Sequence, residues 1–190
     1  MYDLIELHRK ALGIFERTLE KVRKEHMTRS TPCSEWDVRA LLNHVIGWNL
    51  RVPHFLAGKT LTEIPVSNDV IGDDPGSVFT RSAEESQRAW EQPGSQEKLV
   101  RHPAGDVPGE LFLYFRLSDN YIHGWDLATA IGVTFEFDDD LTTICSRKAE
   151  ELNELMVTSG LFAAPPDMDD EDANSKMLAA HGRKAPVLRR

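Results

Sequence analysis

The sequence predicts an all-α protein, a bundle built around four long helices with additional short helices and long connecting loops. Apolar residues recur at intervals of three and four along several long segments, which is the period of an amphipathic helix. No segment shows the sustained alternation of a half-buried β-strand. Prolines and glycines separate the periodic segments and mark the connections. Packing helices against one another is how apolar stripes of this kind are buried.

Length and composition indicate one globular domain over residues 1–190, with a short C-terminal extension from about residue 165. The chain has 190 residues, 41% apolar and 28% charged, which fits a single core. A net charge of −9 and the lack of a basic patch argue against a nucleic-acid partner. No apolar run approaches the roughly 20 residues of a membrane span, and the N-terminus lacks a secretory pattern. We therefore expect a cytoplasmic protein with no membrane partner.

The first helix is predicted over residues 3–24. His8 falls along its apolar stripe, so we expect a partly buried core histidine and hold it as a reserve candidate for a further ligand or an acid–base group. The stripe consists of Leu4, Leu7, Ala11, Leu12, Phe15, Leu19 and Val22.

A loop rich in Ser, Thr and Pro leads to the second helix, which Asp37 or Ser34 is predicted to cap. His44 lies three residues after Leu41 and four before Trp48, so it should face the bundle. Pro53 is predicted to end or bend this helix.

The connection from Gly58 to Gly76 is long and without helical period, and connections of this length are often functional or mobile. A third helix follows over residues 76–92. Residues 99–110 contain prolines and glycines and are predicted to be extended or looped, with His102 as a loop histidine that is either solvated or lines the site. Residues 110–131 form the fourth long helix.

The C-terminal part is predicted to hold two further helices. Asp138, Asp139 and Asp140 stand where the helix dipole favours negative charge, at the start of a helix to about residue 159. A short final helix is predicted over residues 173–180, after an acidic patch at 167–172. The basic end of the chain is read as a solvated tail.

The fourth helix carries Asp119 and His123 four residues apart, so both side chains leave the same face. Such a pair alone is most often an ordinary hydrogen bond. His44 on the second helix changes this interpretation, because two facing helices can then supply three metal ligands. Two nitrogens and one oxygen leave an open position, as in catalytic sites. Zinc fits this set best, and nickel, iron or manganese also fit.

Three further residues have two interpretations each. Asp126 either orients the imidazole of His123 from a second shell or pairs with a surface arginine. Cys33 is either an exposed thiol before a helix N-terminus or a small apolar filler. Trp48, like Trp125, either walls a pocket or belongs to the core. The two cysteines of the chain, 33 and 145, support neither a zinc site of thiolates nor a disulfide framework.

The resemblance of the chain to a known family is carried by two motifs. The sequence resembles the mycothiol-dependent maleylpyruvate isomerase metal-binding family, a group of DinB-like helical bundles, from the first helix to the final short one. The motifs are Thr31-Pro32-Cys33-Ser34-Glu35-Trp36-Asp37-Val38-Arg39 with Leu41-Leu42-Asn43-His44, and Asp119-x-x-x-His123-Gly124-Trp125-Asp126-Leu127-Ala128.

The resemblance implies a four-helix bundle that binds a divalent metal through three residues. His44 and His123 match the two histidines of the family. Asp119 stands where the isomerase uses a glutamate, a longer carboxylate. The isomerase also carries an added C-terminal domain, and this chain is expected to end before a full one.

Two functions follow from these observations. In the first, the chain is a metal-dependent transferase or isomerase in which the metal activates mycothiol, or a similar thiol, toward an electrophilic substrate. In the second, it is a non-catalytic metal-binding or dimerising bundle. A deep pocket beside the ligands would favour the enzyme. Ligands sealed beneath other side chains would favour the non-catalytic bundle. A homodimer through helix faces is compatible with either.

Overall fold

The computed structural model describes residues 2–67, 69–158 and 172–183. These residues form two units, divided after Phe135. The single-domain organisation remains a prediction. The extension predicted from residue 165, the acidic patch as far as residue 171 and the basic tail from residue 184 lie outside the described residues.

Four long helices form the first unit, so the prediction of an all-α bundle is confirmed. α1 packs against α4 and α2 against α3, and α2 also packs against α4. Two short 3₁₀ helices lie in the connections, at Lys24–His26 and Leu61–Glu63. The four long helices are α1 (Leu4–Leu19), α2 (Val38–Leu56), α3 (Pro75–Trp90) and α4 (Gly109–Ile131).

The second unit contains the two C-terminal helices that the sequence predicts, α5 (Asp139–Thr158) and α6 (Ala173–Ala180), which pack together. The side chain of Asp138 accepts a hydrogen bond from the backbone N–H of Leu141 at 3.1 Å, as expected for an acidic helix start. Among the described residues, no helix has both the length and the apolar character that a membrane span requires.

Carboxylates cap three of the four long helices of the first unit. Asp3 caps α1, Asp74 caps α3, and Asp37, rather than Ser34, caps α2 by accepting from the N–H of Ala40 at 2.8 Å. An oxygen at this position satisfies one of the free N–H groups of the first turn. The start of α2, and with it the direction of His44, is thereby fixed.

Of the two effects predicted for Pro53, an end or a bend of α2, the first is wrong and the second stays a prediction. The helix continues through the proline to Leu56, although the ring removes one backbone hydrogen bond. Val52 and Phe55 are completely buried in this last turn. Their packing offsets the loss of the hydrogen bond.

Residues 99–110 were predicted to be extended or looped, and most of them form a β-hairpin. β1 (Leu99–His102) pairs antiparallel with β2 (Gly105–Pro108). Two strands of four residues are too short to show the alternation that identifies a strand in a sequence. Gly105 has φ +118°, a left-handed conformation that glycine adopts without strain.

The start of α4 is tied to the segment that precedes the hairpin. The N–H groups of Gly109 and Glu110 donate to the carbonyl oxygens of Lys98 and Gln96 at 2.7 and 2.8 Å. A Cβ at position 109 would collide with the carbonyl oxygen of Ser95. Glycine is therefore required where this helix begins.

His8 is fully buried rather than partly buried. Its Nδ1 lies 2.8 Å from Gln87 Oε1, and its ring meets the edge of Trp90. Burial lowers the pKa of His8 to about 4. Among the described residues, no cluster of potential metal ligands includes His8, so the structure gives no support to its reserve role.

Protonation of His8 should couple stability to pH. Because its pKa is about 4 in the fold and 6.5 ordinarily, the unfolded chain binds the proton more tightly. The free energy of unfolding should then fall by about 1.4 kcal/mol per pH unit as the pH drops through this interval. His8→Asn keeps a donor for Gln87 and removes the titration. Urea unfolding at several pH values gives the free energy of unfolding of each protein as a function of pH. This free energy should fall more steeply with decreasing pH in the wild type than in His8→Asn. An equal pH dependence in the two proteins would contradict the prediction.

Candidate metal centre

The structure brings together the three residues predicted to bind a metal. α2 contributes His44, and α4 contributes Asp119 and His123. Asp119 Oδ1 lies 3.1 Å from His44 Nε2 and 3.4 Å from His123 Nε2. One potential ligand atom from each residue lies within 4.8 Å of the other two. Sequence reasoning placed these side chains on facing helices, and their role as ligands remains a prediction.

The other oxygen of Asp119 is held by a buried arginine that the sequence reading missed. Arg116 Nη1 lies 3.1 Å from Asp119 Oδ2, and the guanidinium carbon lies 4.5 Å from the centre of the Trp48 ring. Arg116 is only 5% exposed. The spacing of three residues between Arg116 and Asp119 was the available signal, because such pairs are neighbours on a helix.

Electrostatic interactions keep Asp119 ionised. Burial by itself would raise its pKa, but Arg116 and the two imidazoles of the trio together hold that pKa well below its usual range. Burial would likewise lower the pKa of His123, yet Asp119 and the hydrogen bonds around the ring raise that pKa well above its usual value. Burial lowers the pKa of His44, with Asp119 acting in the opposite direction.

Asp126 is fully buried and contacts His123. Its Oδ2 lies 2.9 Å from His123 Nδ1. This is the arrangement of a carboxylate that orients a ligand imidazole, and it fixes which ring nitrogen faces Asp119. The alternative, a surface partner for an arginine, does not fit a residue with no exposed area.

The loop before α2 folds over the two imidazoles. The N–H of Trp36 donates to the carbonyl oxygen of Cys33 at 2.8 Å. The Trp36 ring centre lies 4.5 Å from that of His44 and 5.5 Å from that of His123. The tilted indole at these distances covers one side of the two imidazoles.

Cys33 fits neither of its two interpretations from the sequence. Its thiol is half-buried and lies 3.3 Å from Asp126 Oδ2 and 3.8 Å from His123 Nδ1. It is therefore a hydrogen-bond donor to a buried carboxylate, not an apolar filler or a freely exposed thiol. Sequence alone gave no signal for this contact, because 93 residues separate Cys33 from Asp126.

His44 opens onto a cavity of about 590 Å³. Trp48 lines this cavity, whereas Trp125 does not and is buried in the bundle. A cavity of this volume accommodates a small organic molecule. The full lining is Trp36, Asp37, Arg39, Ala40, Asn43, His44, Trp48, Arg51 and Leu61.

His102 is buried rather than solvated. It lies at the end of β1, 7% exposed, with its ring stacked on Trp48 at 5.5 Å between centres. Burial, with a smaller contribution from Arg116, lowers its pKa to about 4. It supports the wall of the cavity from behind and is not part of the lining.

Loss of Arg116 should be costly, because the largely buried carboxylate of Asp119 would remain without its cation. We expect Arg116→Met to lower the free energy of unfolding by about 3 kcal/mol or more. Arg88→Met removes an arginine from the exposed pair with Glu84 and should cost less than about 1 kcal/mol. Urea unfolding of the two variants checks this. Equal losses would show that the Arg116 pair contributes no more than a surface pair.

The chain is similar to known proteins in its sequence and in its fold. The family model described as the mycothiol maleylpyruvate isomerase N-terminal domain matches residues 8–128. Two Mycobacterium tuberculosis relatives, the uncharacterized proteins Rv0738 of strain H37Rv and MT0763 of strain CDC 1551, are each 30% identical over 139 residues, which is 73% of this chain and 73% of the relative.

Two solved structures have a similar fold. The crystal structure of the mycothiol-dependent maleylpyruvate isomerase superposes with a TM-score of 0.62 at 16% identity. A histidine-to-alanine mutant of that isomerase gives 0.60 at 14%. Each match covers 77% of this chain and 68% of that chain. Identity this low establishes the fold and leaves the chemistry to be argued from the site.

Proposed function

Because this chain belongs to the mycothiol maleylpyruvate isomerase N-terminal domain family, we propose that it is a metal- and thiol-dependent transferase or isomerase. In this proposal His44, Asp119 and His123 bind a divalent cation, and mycothiol or a similar low-molecular-weight thiol attacks a small electrophilic substrate. The observation that carries the proposal is the trio of ligand atoms within 4.8 Å of one another, with His44 lining a cavity.

The donor set fits a catalytic cation. Two imidazole nitrogens and one carboxylate oxygen suit zinc, nickel, iron or manganese and leave coordination positions for other molecules. Asp119 is held ionised, and burial favours the neutral form of His44, as metal binding requires. The neighbouring carboxylates raise the pKa of His123, so a cation at this position would have to displace the proton from its Nε2. A cation at this position would supply a Lewis acid that lowers the pKa of a coordinated thiol.

The surrounding residues give the trio its orientation. Arg116 fixes one oxygen of Asp119 and leaves the other facing both histidines. Asp126 holds the Nδ1 hydrogen of His123, so Nε2 is the nitrogen turned toward Asp119. Positions fixed in advance reduce the ordering cost of binding.

The cavity supplies the space for the reacting molecules. Trp36 and Trp48 form apolar walls beside His44, and Arg51 adds a positive charge to the same lining. Arg39 also lines the cavity but is paired with Asp69 at 2.9 Å, and Asp37 adds a carboxylate. Such a lining accommodates a small molecule with an apolar part and polar groups. An open cavity at His44 also favours a catalytic role over the alternative of a non-catalytic metal-binding or dimerising bundle.

The test compares the wild type with His123→Ala and with His54→Ala, a control histidine on α2 that contacts Lys59. Chelator-stripped protein is titrated with zinc and assayed for conjugation of mycothiol to chlorodinitrobenzene. We expect His123→Ala to weaken zinc binding by more than about 100-fold. Loss of a residue that only hydrogen-bonds to a metal ligand typically costs less than this. Conjugation should be lost with zinc binding, and His54→Ala should match the wild type.

Two results would count against the proposal. Equal zinc affinities and equal conjugation rates for the wild type and His123→Ala would show that His123 is not a metal ligand. Normal zinc binding without thiol-dependent turnover on any electrophile tested would favour the non-catalytic bundle.

A further inference from the structure

A second group of potential ligands lies on the opposite edge of the His123 ring. Cys33 Sγ, His123 Nδ1 and Asp126 Oδ2 all lie within 4.8 Å of one another. We propose that these three atoms form a second cation position, one that contains a thiolate and takes a thiophilic divalent ion such as cobalt or cadmium. This position shares His123 with the trio described above but does not depend on any thiol-transfer activity.

The distances are close to those that a tetrahedral ion requires. Bonds of about 2.3 Å to sulfur and about 2.0–2.2 Å to nitrogen and oxygen place the ligand atoms about 3.3–3.7 Å apart. The corresponding separations are 3.8 Å for Sγ to Nδ1, 3.3 Å for Sγ to Oδ2 and 2.9 Å for Nδ1 to Oδ2. Side-chain shifts of about half an ångström therefore suffice, without rearrangement of the backbone.

The loop that carries Cys33 is held in place by its own hydrogen bonds. Thr31 Oγ1 accepts from the N–H of Cys33 at 3.1 Å, and the carbonyl oxygen of Cys33 accepts from the N–H of Trp36 at 2.8 Å. A bridge between Ser30 and Asp37 closes the loop at its base. The sulfur is thus positioned by the backbone, while His123 and Asp126 are positioned one turn apart on α4.

Burial of the three residues indicates a route of entry. His123 is 6% exposed and Asp126 is not exposed at all, whereas Cys33 is half-buried. An ion would therefore arrive from the side of the thiol. The two edges of the His123 ring should also prefer different metal ions. The thiolate of Cys33 selects soft ions on one edge. The carboxylate of Asp119 and the imidazole of His44 suit harder ions such as manganese on the other.

The two positions exclude each other because they use one neutral ring. An ion on Nε2 leaves the ring hydrogen on Nδ1, facing Asp126. An ion on Nδ1 leaves it on Nε2, 3.4 Å from Asp119 Oδ1. Each chain should therefore bind one ion rather than two, and the softness of the ion should decide the edge.

Cobalt(II) tests the proposal, because a thiolate bound to cobalt adds a charge-transfer band in the near ultraviolet. We expect this band in the full-length wild type, in Cys145→Ser and in His44→Ala. Cys145 is the matched control, a fully buried cysteine on α5. Cys33→Ser should abolish the band. A wild type that binds cobalt without the band, a band that survives Cys33→Ser, or a band that His44→Ala removes would each overturn the proposal.

The same titration separates this proposal from the proposed function. If the wild type binds cobalt without the band and His44→Ala no longer binds cobalt, the result supports the site of His44, Asp119 and His123. The same result contradicts the second position. A band kept in His44→Ala would support the second position whatever the fate of the first.

A measurement on the unmodified chain keeps the proposal testable if Cys33→Ser does not fold. Iodoacetamide alkylation is followed at each cysteine by mass spectrometry, with and without cadmium. We expect cadmium to slow the alkylation of Cys33 by at least about tenfold, because a coordinated thiolate is withheld from the reagent. Cys145 should remain unmodified in both samples. Equal rates at Cys33 with and without cadmium would overturn the proposal.

Discussion

The candidate site depends on the ion pair between Arg116 and the carboxylate of Asp119, whose side chain is only 15% exposed. An ionised group in this position is stable only when its charge is compensated. Arg116 compensates it from the same helix through Oδ2, while His44 approaches Oδ1 from the facing helix. Because α2 contributes one of these partners and α4 the others, the charge cluster also fixes how the two helices face each other. His123 then takes its place beside the same oxygen.

The remaining structure serves this cluster in a few identifiable ways. The cap by Asp37 sets where α2 begins. Gly109 allows the close approach of the backbone at Ser95 and Gln96, and the carbonyl of Gln96 accepts from the start of α4. The loop between α1 and α2 covers the imidazoles with Trp36. Behind Trp48 lies His102, which the short hairpin carries into the aromatic packing. The result is a polar centre held by apolar walls, with one side open to a cavity.

The sequence was sufficient for the features that depend on periodicity. The apolar stripe of α1 predicts that helix, and the i,i+4 spacing predicts that Asp119 and His123 share a face. The position of His44 between Leu41 and Trp48 predicts that it points into the bundle. These arguments succeed because each of them concerns a single helix.

The sequence was insufficient where a contact crosses between distant segments. Periodicity does not say which side chain meets another across an interface, so the contact of Cys33 with Asp126 and the stacking of Arg116 on Trp48 were not predicted. α4 is buried on nearly all sides, so its stripe gives no sign that Arg116 lies inside. The hairpin was too short to be recognised, and the buried packing around Pro53 overrode the local rule for proline.

The central claim is that the atoms gathered around Asp119 bind a cation, and anomalous diffraction from crystals grown with manganese tests it most directly. Manganese favours oxygen and nitrogen ligands over a thiolate, so it should occupy the edge of His123 that faces Asp119. We predict a single anomalous peak bonded to His44 Nε2, Asp119 Oδ1 and His123 Nε2. No peak at this site, or a peak that does not touch His44, would contradict the account.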